Sequence, residues 1–210
     1  MKHILSTITI LCFSLILGFS QNKQETKKMK TALILIDIQN DYFDGGKMPL
    51  VGSLEASLNA HKVLAKFRID GMPVIHIQHI ANRPNSTFFV EKTKGMDIHE
   101  NVKPIENEKL IIKHFPNSFR ETELLEYLKS KEITDLVICG MMTHMCVDAT
   151  VRAAKDFGFN CIVIGDACAT RDLKINDQVV KAAEVHHSFL AAFNGFYALV
   201  KMTEQYLEEK

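Results

Sequence analysis

The sequence predicts an α/β protein with three layers, in which helices cover both faces of a six-stranded, mostly parallel, Rossmann-like sheet. Two observations support this fold class. Short apolar runs rich in β-branched residues alternate along the chain with longer segments of helical periodicity. The first run, residues 31–37, is hydrophobic without alternation until its final acid, which is typical of a strand buried on both faces of a parallel sheet.

Each predicted element rests on a local signal. Strands correspond to apolar runs that end at Gly, Pro or a charge, and helices to segments that begin at an N-cap residue and end near Gly. In chain order, the elements are strand 31–37, loop 38–52, helix 53–69, strand 73–78, loop 80–108, strand 109–113, helix 121–130, strand 136–139, helix 143–157, strand 161–164, helix 177–193, strand 196–200 and a terminal helix from 203.

Two helices carry most of this prediction. Ser53 is a suitable N-cap for the first helix, and its spacing predicts an inner face of Leu54, Leu58, His61, Val63, Leu64 and Phe67. Thr143 is a suitable N-cap for the helix that follows the fourth strand, and Gly158 ends it. The loop at 80–108 is long for a compact domain, which indicates a lid or a binding segment.

The N-terminus has the features of an export signal. An apolar run at 4–19 follows Lys2, it is shorter than the ~20 residues that span a bilayer, and Gly18 and Ser20 suit a cleavage site. We therefore predict an export signal at 1–20, a polar tether at 21–30 and one folded domain at 31–210. The expected location is the periplasm, the cell envelope or the medium, and an uncleaved membrane anchor is the alternative.

The composition argues against nucleic-acid and membrane partners and against a need for disulfides. The 25 basic and 25 acidic residues cancel, so the chain has no electrostatic footprint for nucleic acid or, after signal removal, for a membrane. A small-molecule substrate is expected instead. Cys139 and Cys161 lie in apolar strand-like runs, where cysteine acts as a small hydrophobic residue, and the domain is large enough to fold without disulfides.

Three reactive side chains fall at the carboxyl ends of predicted strands, where open parallel sheets form their sites: Asp37, Lys113 and Cys146. Cys146 is in the first turn of a helix, where the helix dipole and Lys113 would favour a thiolate. Taken singly, the three could also be a capping acid, a solvent-facing lysine and an inert buried cysteine.

Together these three groups suit acyl transfer through a cysteine. Asp37 would accept the thiol proton and later pass it to a leaving amine, while the thiolate attacks a carbonyl carbon. Backbone N–H groups at the helix start would hold the oxyanion, and water would then hydrolyse the acyl-thioester.

Four segments carry a resemblance to a known family: LIDIQNDYF around Asp37, Lys113 with NSF at 117–119, GMMTHMCV around Cys146, and DACATRD at 166–172. Together they resemble the isochorismatase-like cysteine hydrolase superfamily, in its amidohydrolase branch, over nearly the whole domain. The resemblance implies a six-stranded parallel sheet, a catalytic triad of the three groups with Cys146 as nucleophile, and a homo-oligomer.

The resemblance also implies details of the pocket. It implies a cis peptide bond between Met141 and Met142, with the N–H groups of Met142 and Cys146 forming the oxyanion hole. Tyr42 matches the aromatic position that lines the substrate pocket of the family. His79 and His144 also fall near the site and are predicted to bind substrate, with neither acting as the general base.

Differences between this chain and other branches of the superfamily narrow the predicted reaction. The isochorismatases proper lack the cysteine, so Cys146 favours cleavage of a C–N bond in a small amide or ureido/carbamoyl substrate. The nicotinamidase branch has an Asp-x-His metal motif after the second strand, where this chain has HIQH at 76–79 without an acid. Asp97 and His99 have the right spacing but lie in the long loop. We predict no metal and no cofactor, and a metal-assisted nicotinamidase-like amidase is an alternative.

Two other classes of function remain open at this point. Cys146 could be a redox sensor or covalent scavenger, with Cys139 and Cys168 as resolving partners. The domain could also be a catalytically silent binding protein. Dependence of amide turnover on Asp37 separates hydrolysis from the redox alternative, and titration with a thiol alkylator tests the silent alternative, which an unreactive Cys146 would support.

Overall fold

The computed structural model of the protein describes residues 30–208. The predicted export signal at 1–20 and nearly all of the tether at 21–30 therefore lie outside the described residues. Among the described helices, none combines the length and the apolar character that crossing a membrane would require.

Six parallel strands form the central sheet, as the alternating pattern predicts. Their order across the sheet is β3-β2-β1-β4-β5-β8. The strands are β1 (Thr31–Ile36), β2 (Val74–His79), β3 (Lys109–Lys113), β4 (Asp135–Met141), β5 (Asn160–Ala169) and β8 (Leu199–Lys201), and a separate antiparallel hairpin consists of β6 (Leu173–Ile175) and β7 (Gln178–Val180).

Helices cover both faces of this sheet, which confirms the three-layer α/β prediction. The helices are α1 (Ser53–Ile69), α2 (Leu124–Ser130), α3 (Asp148–Asp156), α4 (Ala182–Phe193) and α5 (Thr203–Glu208). One apolar core lies under α1 and α5, and the other lies under α2, α3 and α4. Since the strand order reverses between β1 and β4, the crevice beyond their carboxyl ends is where a ligand site is expected in a sheet of this topology.

The inner face of α1 differs from the predicted one. Leu54 and Leu58 are about half exposed, and His61 is exposed. The residues that face the sheet are Ser53, Ala56, Ser57, Ala60, Val63, Leu64 and Phe67. Small side chains in the first turns let the helix backbone approach the sheet closely, so burial follows size as well as hydrophobicity. Ser53 is the first helical residue, and Gly52 takes the N-cap position.

The segment that carries Cys146 also differs from the prediction. Thr143 to Val147 form one turn of π-helix before α3 begins, and Met142 rather than Thr143 is the N-cap residue. The Thr143 hydroxyl donates instead to the carbonyl oxygen of Ala169 on β5, at 3.2 Å. A π turn at a functional position is a common feature of helices that present a reactive side chain.

The predicted secondary structure differs most from the observed structure over residues 165–181. Strand β5 does not end at Gly165 but continues through a register shift to Ala169. The helix predicted from Asp177 begins only at Ala182, because a hairpin precedes it. Asn176 and Asp177 have φ values of +48° and +62°, as in the tight turns of two-residue hairpins, and Val179 and Val180 favour a strand.

Gly140 lies where β4 approaches β1 closely. Its φ is +139°, and a Cβ atom there would lie 2.1 Å from the carbonyl oxygen of Ile36. Gly140 directly precedes the segment that bears Cys146, and Ile36 directly precedes Asp37. The close approach therefore helps to set the distance between these two side chains.

We expect Gly140→Ala to destabilise the protein by more than about 3 kcal/mol, since it adds a backbone clash to the cost of a positive φ. Gly158→Ala is a matched control, because Gly158 also has a positive φ but no atom within 4 Å of its Cβ position. That control should cost only about 1–2 kcal/mol. If urea unfolding shows equal losses of unfolding free energy for the two variants, the close approach of Gly140 to Ile36 adds nothing to the cost.

A buried acid stabilises the β2–β3 side of the sheet. Glu108 accepts two hydrogen bonds from the Arg68 guanidinium, from Nε at 2.7 Å and from Nη2 at 2.9 Å. Its Oε2 also lies 2.8 Å from His76 Nε2. The Ile105 amide donates to Oε2 at 3.0 Å. Burial raises the pKa of Glu108, but the hydrogen bonds from Arg68, Ile105 and His76 outweigh it and hold the pKa at about 2.

A pKa below that of the unfolded chain means that Glu108 stabilises the fold above about pH 4.5 and loses this effect as pH falls toward 2. Glu108→Gln should therefore cost roughly 2–3 kcal/mol at pH 7. The difference from the parent should stay constant from pH 7 to 5 and shrink by pH 3. Urea titrations at each pH measure it, and a difference independent of pH down to 3 would contradict the assignment.

Candidate active site

Asp37 and Lys113 form a fully buried ion pair at the carboxyl ends of β1 and β3. The two residues are 76 positions apart, both side chains are 0% exposed, and Lys113 Nζ lies 2.7 Å from Asp37 Oδ2. Because β2 lies between their strands, the long lysine side chain is needed to reach the acid. Lys113 is therefore not the solvent-facing lysine that its sequence position also allowed.

The Lys113 ammonium uses all three of its donors. Besides Asp37, it contacts His79 Nδ1 and the Phe115 carbonyl oxygen, both at 3.1 Å. An ammonium group can only donate, so His79 Nδ1 accepts and the ring proton of neutral His79 is on Nε2. Burial and the neighbouring ammonium lower the pKa of His79 to about 4, although Asp37 opposes them.

Cys146 completes the cluster that the sequence predicted. One carboxylate oxygen of Asp37, one ring nitrogen of His79 and Sγ of Cys146 all lie within 4.8 Å of one another. The cysteine is only 2% exposed. Sulfur, carboxylate and ammonium, distant in sequence, therefore meet at one edge of the sheet.

The protonation state of Cys146 differs from the sequence-based prediction. Burial raises the pKa of the thiol, and the Asp37 carboxylate raises it further, while Lys113 lowers it less than these two together raise it. Burial and Asp37 therefore favour the neutral thiol, whereas the sequence predicts that Lys113 and the helix dipole favour the thiolate. Desolvation outweighs the dipole at a site this deeply buried.

The predicted cis peptide bond between Met141 and Met142 is present. The Met142 carbonyl oxygen accepts hydrogen bonds from the amides of Met145 at 3.0 Å and Val147 at 3.2 Å, which flank Cys146 in sequence. The turn is thus closed around Cys146, and the Met142 and Cys146 amides both lie in it.

Tyr42 and His144 occupy different surroundings near this turn. Tyr42 is 1% exposed and packs edge-on against Phe89, with 4.6 Å between ring centroids. Its pKa is raised by burial first and then by Cys146 and Asp37, so it lies within electrostatic range of the cluster. His144 is half-buried, and its Nδ1 lies 2.5 Å from the Thr170 hydroxyl.

A small cleft leads toward the cluster from the side of the long loop. Its volume is about 270 Å³. Its apolar and polar lining residues are Ala81, Phe88, Pro116 and Met145, together with His79, Asn82, Arg83, Ser86 and His114. Since His79 belongs to the cluster and Met145 precedes Cys146, a substrate of modest size could reach the thiol through this cleft.

Residues without a predicted role hold the cluster in place. The Gln39 side chain pairs with the backbone of His79, with its Oε1 accepting at 2.8 Å and its Nε2 donating at 2.9 Å. Ser118, in the loop after β3, hydrogen-bonds to Thr150 on α3 through its hydroxyl at 2.8 Å. The motifs NSF and LIDIQ pointed to these segments, but only the fold shows which side chains they brace.

His186 and Arg171 are two further residues that sequence reasoning missed. His186 Nδ1 lies 2.9 Å from the Thr143 hydroxyl and so links α4 to the turn that carries Cys146. Arg171 follows β5, and its buried Nε has no hydrogen-bond partner in the described part of the chain. The arginine appeared in the DACATRD segment, but its sequence position gave no sign that it would be unpaired.

The cluster of Asp37, His79 and Cys146 is also the one group of potential metal ligands in residues 30–208. A divalent ion held by these three would lie against the Lys113 ammonium, which already bonds to two of them, and would be repelled. The three potential ligands therefore suit the Lys113 ammonium better than a metal ion. Asp97 is exposed and His99 stacks on Phe43, so neither joins the cluster.

The cysteines of the described domain are all free and buried: Cys139, Cys146, Cys161 and Cys168. Cys139 packs in the core under α1, whereas Cys146 and Cys168 pack in the core on the other face of the sheet. Burial is the main cause that raises the pKa values of Cys161 and Cys168, each to about 12.

Comparisons with known proteins agree with the geometry. The profile of the isochorismatase domain family matches residues 31–192. The isochorismatase family protein YddQ of Bacillus subtilis is 52% identical over 86% of this chain and 100% of its own length. An isochorismatase-type hydrolase structure from Oleispira antarctica has a TM-score of 0.84 at 45% identity, covering 88% of this chain and 99% of that one.

A more distant relative carries a reaction in its name. The ureidoacrylate amidohydrolase of Pseudomonas savastanoi pv. phaseolicola is 26% identical over 67% of this chain and 71% of its own length. The family profile covers more than three quarters of the chain, and the sheet order, the cis peptide bond and the proximity of Asp37 to both Lys113 and Cys146 all agree with the resemblance seen in the motifs. The chain therefore belongs to the isochorismatase family and is a hydrolase of that family.

Proposed function

We propose that this hydrolase cleaves a C–N bond in a small amide or ureido/carbamoyl compound through a thioester on Cys146. The observation that carries the proposal is the state of Asp37 Oδ1. This oxygen is buried and has no hydrogen-bond partner among the described residues, while Oδ2 is held by Lys113. An unpaired, preoriented acceptor beside a protonated thiol is what a general base for that thiol requires.

The reaction begins with transfer of the Cys146 proton to Asp37. The sulfur then attacks the carbonyl carbon of the substrate, and a C–S bond forms as the carbonyl electrons move to oxygen. The Met142 and Cys146 amides donate to this oxyanion. Asp37 passes the proton to the departing nitrogen as the C–N bond breaks, which leaves an acyl-thioester.

The second half regenerates the thiol. Asp37 accepts a proton from water, and the hydroxide equivalent attacks the thioester carbon. The acid product leaves, and the proton returns to the sulfur. Burial lowers the pKa of Lys113, but Asp37 and, once it is a thiolate, Cys146 raise it by more, so Lys113 stays protonated throughout. Its charge stabilises the thiolate while that species exists.

The surroundings of Cys146 favour hydrolysis over the redox alternative. A sensor thiol is accessible and has a lowered pKa, whereas Cys146 is 2% exposed and its pKa is raised. The amidohydrolase named among the relatives supports a C–N substrate. Tyr42 and His79 are proposed to line the bound substrate, together with His144. Export and homo-oligomer formation remain predictions.

Incubation with a panel of small amides, ureides and carbamoyl compounds, followed by acid quench and mass spectrometry, tests the proposal. We expect at least one compound to leave an acyl adduct on the peptide that contains Cys146, with release of its amine or ammonia. Cys146→Ala is the control and should neither form the adduct nor turn over. Turnover that survives in this variant would rule out the thioester route.

Asp37→Asn should move two measurements in opposite directions. Turnover should fall by about 10²- to 10⁴-fold because the general base is lost. Alkylation of Cys146 by iodoacetamide should become faster at pH 7–8, because removal of the carboxylate lowers the thiol pKa beside an intact Lys113. Circular dichroism checks folding, and Cys146→Ala gives the alkylation background of the other cysteines. Retained turnover, or alkylation that slows, would contradict the assignment of Asp37.

A further inference from the structure

The long loop between β2 and β3 forms one wall of the cleft that leads toward Cys146. A short segment of this loop supplies several of the cleft-lining residues: Asn82, Arg83, Ser86 and Phe88. In residues 30–208, the hydrogen bonds that join residues 82–89 to the rest of the chain are both made by the backbone of Phe89. The position of this wall therefore depends on how Phe89 is held.

The backbone of Phe89 is held from two sides. Its amide donates to Oδ2 of Asp41 at 2.6 Å, and its carbonyl oxygen accepts from the Ala81 amide at 2.9 Å. Phe89 has a φ of +53°, a left-handed conformation that a bulky residue adopts only where its surroundings impose it. The hydrogen bond to Asp41 is therefore part of what keeps the loop in this conformation.

Asp41 is a buried acid that the proposed reaction does not use. It lies in a turn of 3-10 helix after β1 (Asn40–Tyr42) and is only 4% exposed. Its other oxygen, Oδ1, accepts from the Lys47 amide at 3.1 Å. A Cβ atom on Gly95, farther along the long loop, would overlap with both carboxylate oxygens. One carboxylate therefore joins the loop after β1 to two separate parts of the long loop.

Phe89 packs between the wall of the cleft and the cluster that contains Cys146. Its ring is 1% exposed, and its centroid lies 5.0 Å from that of Phe88, which lines the cleft. The same centroid lies 5.9 Å from that of His79, a member of the cluster, and 4.6 Å from that of Tyr42. A shift of Phe89 would therefore move the wall of the cleft and a ring that contacts the cluster.

We infer that Asp41 is a positioning residue: its carboxylate holds residues 82–89 closed over the cleft and so limits the size of the molecules that reach Cys146. A carboxylate suits this role because both of its oxygens accept, and the two amides that it binds belong to different loops. The side chain of asparagine has one accepting oxygen, so the amide of either Phe89 or Lys47 would face its NH2 group. The inference rests on the proposed function for its kinetic test alone.

Alkylation by two maleimides of different size tests the closure without a substrate. N-ethylmaleimide and fluorescein-5-maleimide react with a thiol by the same addition, so the ratio of their rate constants cancels any change in thiol pKa. We expect Asp41→Asn to raise the rate of the bulky reagent at Cys146, relative to the small one, by at least about 5-fold, since a lost hydrogen bond to a charged group weakens the closed state.

Mass spectrometry of the peptide that contains Cys146 measures both rates, and Cys146→Ala gives the background from the other cysteines. A ratio that stays unchanged in Asp41→Asn, or a bulky reagent that reacts with neither protein, would overturn the inference.

A second variant disturbs the same contact from the long loop. Gly95→Ala keeps the Asp41 carboxylate but places a methyl group against it, so the ratio should rise in the same direction. This variant also serves if Asp41→Asn does not fold. Lys94→Ala changes the adjacent, exposed side chain and is the matched control, which should keep the ratio within about 2-fold of the parent. An equal rise in Lys94→Ala would indicate general loosening of the loop and contradict the role of Asp41.

Kinetics with the best amide of the substrate panel give a second readout. If the closed loop contacts the substrate equally before and during the reaction, its loss weakens binding alone. Asp41→Asn should therefore raise KM by about 10-fold and change kcat by less than about 3-fold. A fall in kcat at unchanged KM would mean that Asp41 acts on the chemical step and would contradict the inference.

The two readouts separate this inference from the proposed reaction. If the maleimide ratio rises in Asp41→Asn but the parent protein hydrolyses no amide, the role of Asp41 stands and the proposed function fails. If amides are hydrolysed and neither KM nor the ratio changes, the proposed function stands and this inference fails.

Discussion

The buried Asp37–Lys113 pair is the interaction on which the rest of the site depends. Both side chains are fully buried and 2.7 Å apart, so neither charge can be removed without leaving the other unpaired in the interior. Breaking such a pair by removing one partner costs about 3–5 kcal/mol. The pair also fixes the neighbouring groups: Oδ2 is occupied, Oδ1 is left open, and His79 is kept neutral as an acceptor. Asp37 holds this position with a φ of +50°, a conformation that Asp adopts more readily than most residues.

In the proposed reaction, this arrangement would keep Cys146 in its neutral form until a substrate arrives. A neutral thiol at 2% exposure presents little thiolate to oxidants or alkylating compounds, and the nearby carboxylate reinforces this state. In the proposed reaction, the same carboxylate becomes the base when a carbonyl group approaches and the developing oxyanion can be bound. Asp37 and Lys113 would then govern both the protection of the sulfur and its activation, depending on what occupies the pocket.

Much of the fold and of the Asp37–Lys113–Cys146 cluster could be predicted because both depend on local, repeated signals. Continuous apolar runs gave five of the sheet strands to within one or two residues at their starting ends, and the charges that end β1 and β3 marked the edge where the cluster forms. The errors occurred where contacts distant in sequence decide the outcome. The inner face of α1 depends on how closely the sheet approaches Ala56 and Ala60, and the hairpin before α4 interrupts an apparently helical region.

By itself, the sequence determined which reactive groups lie at the strand ends, because strand periodicity and chain order leave few parallel topologies. Tertiary structure alone decided the surroundings that shift the pKa values of those groups, and it left Arg171 Nε without a hydrogen-bond partner among the described residues. A pKa is set by desolvation and by charges that arrive from other strands, and neither can be read from residues adjacent in the chain. Likewise, whether an arginine is paired depends on which acids fold against it, and here the adjacent acid, Asp172, is held by Lys181.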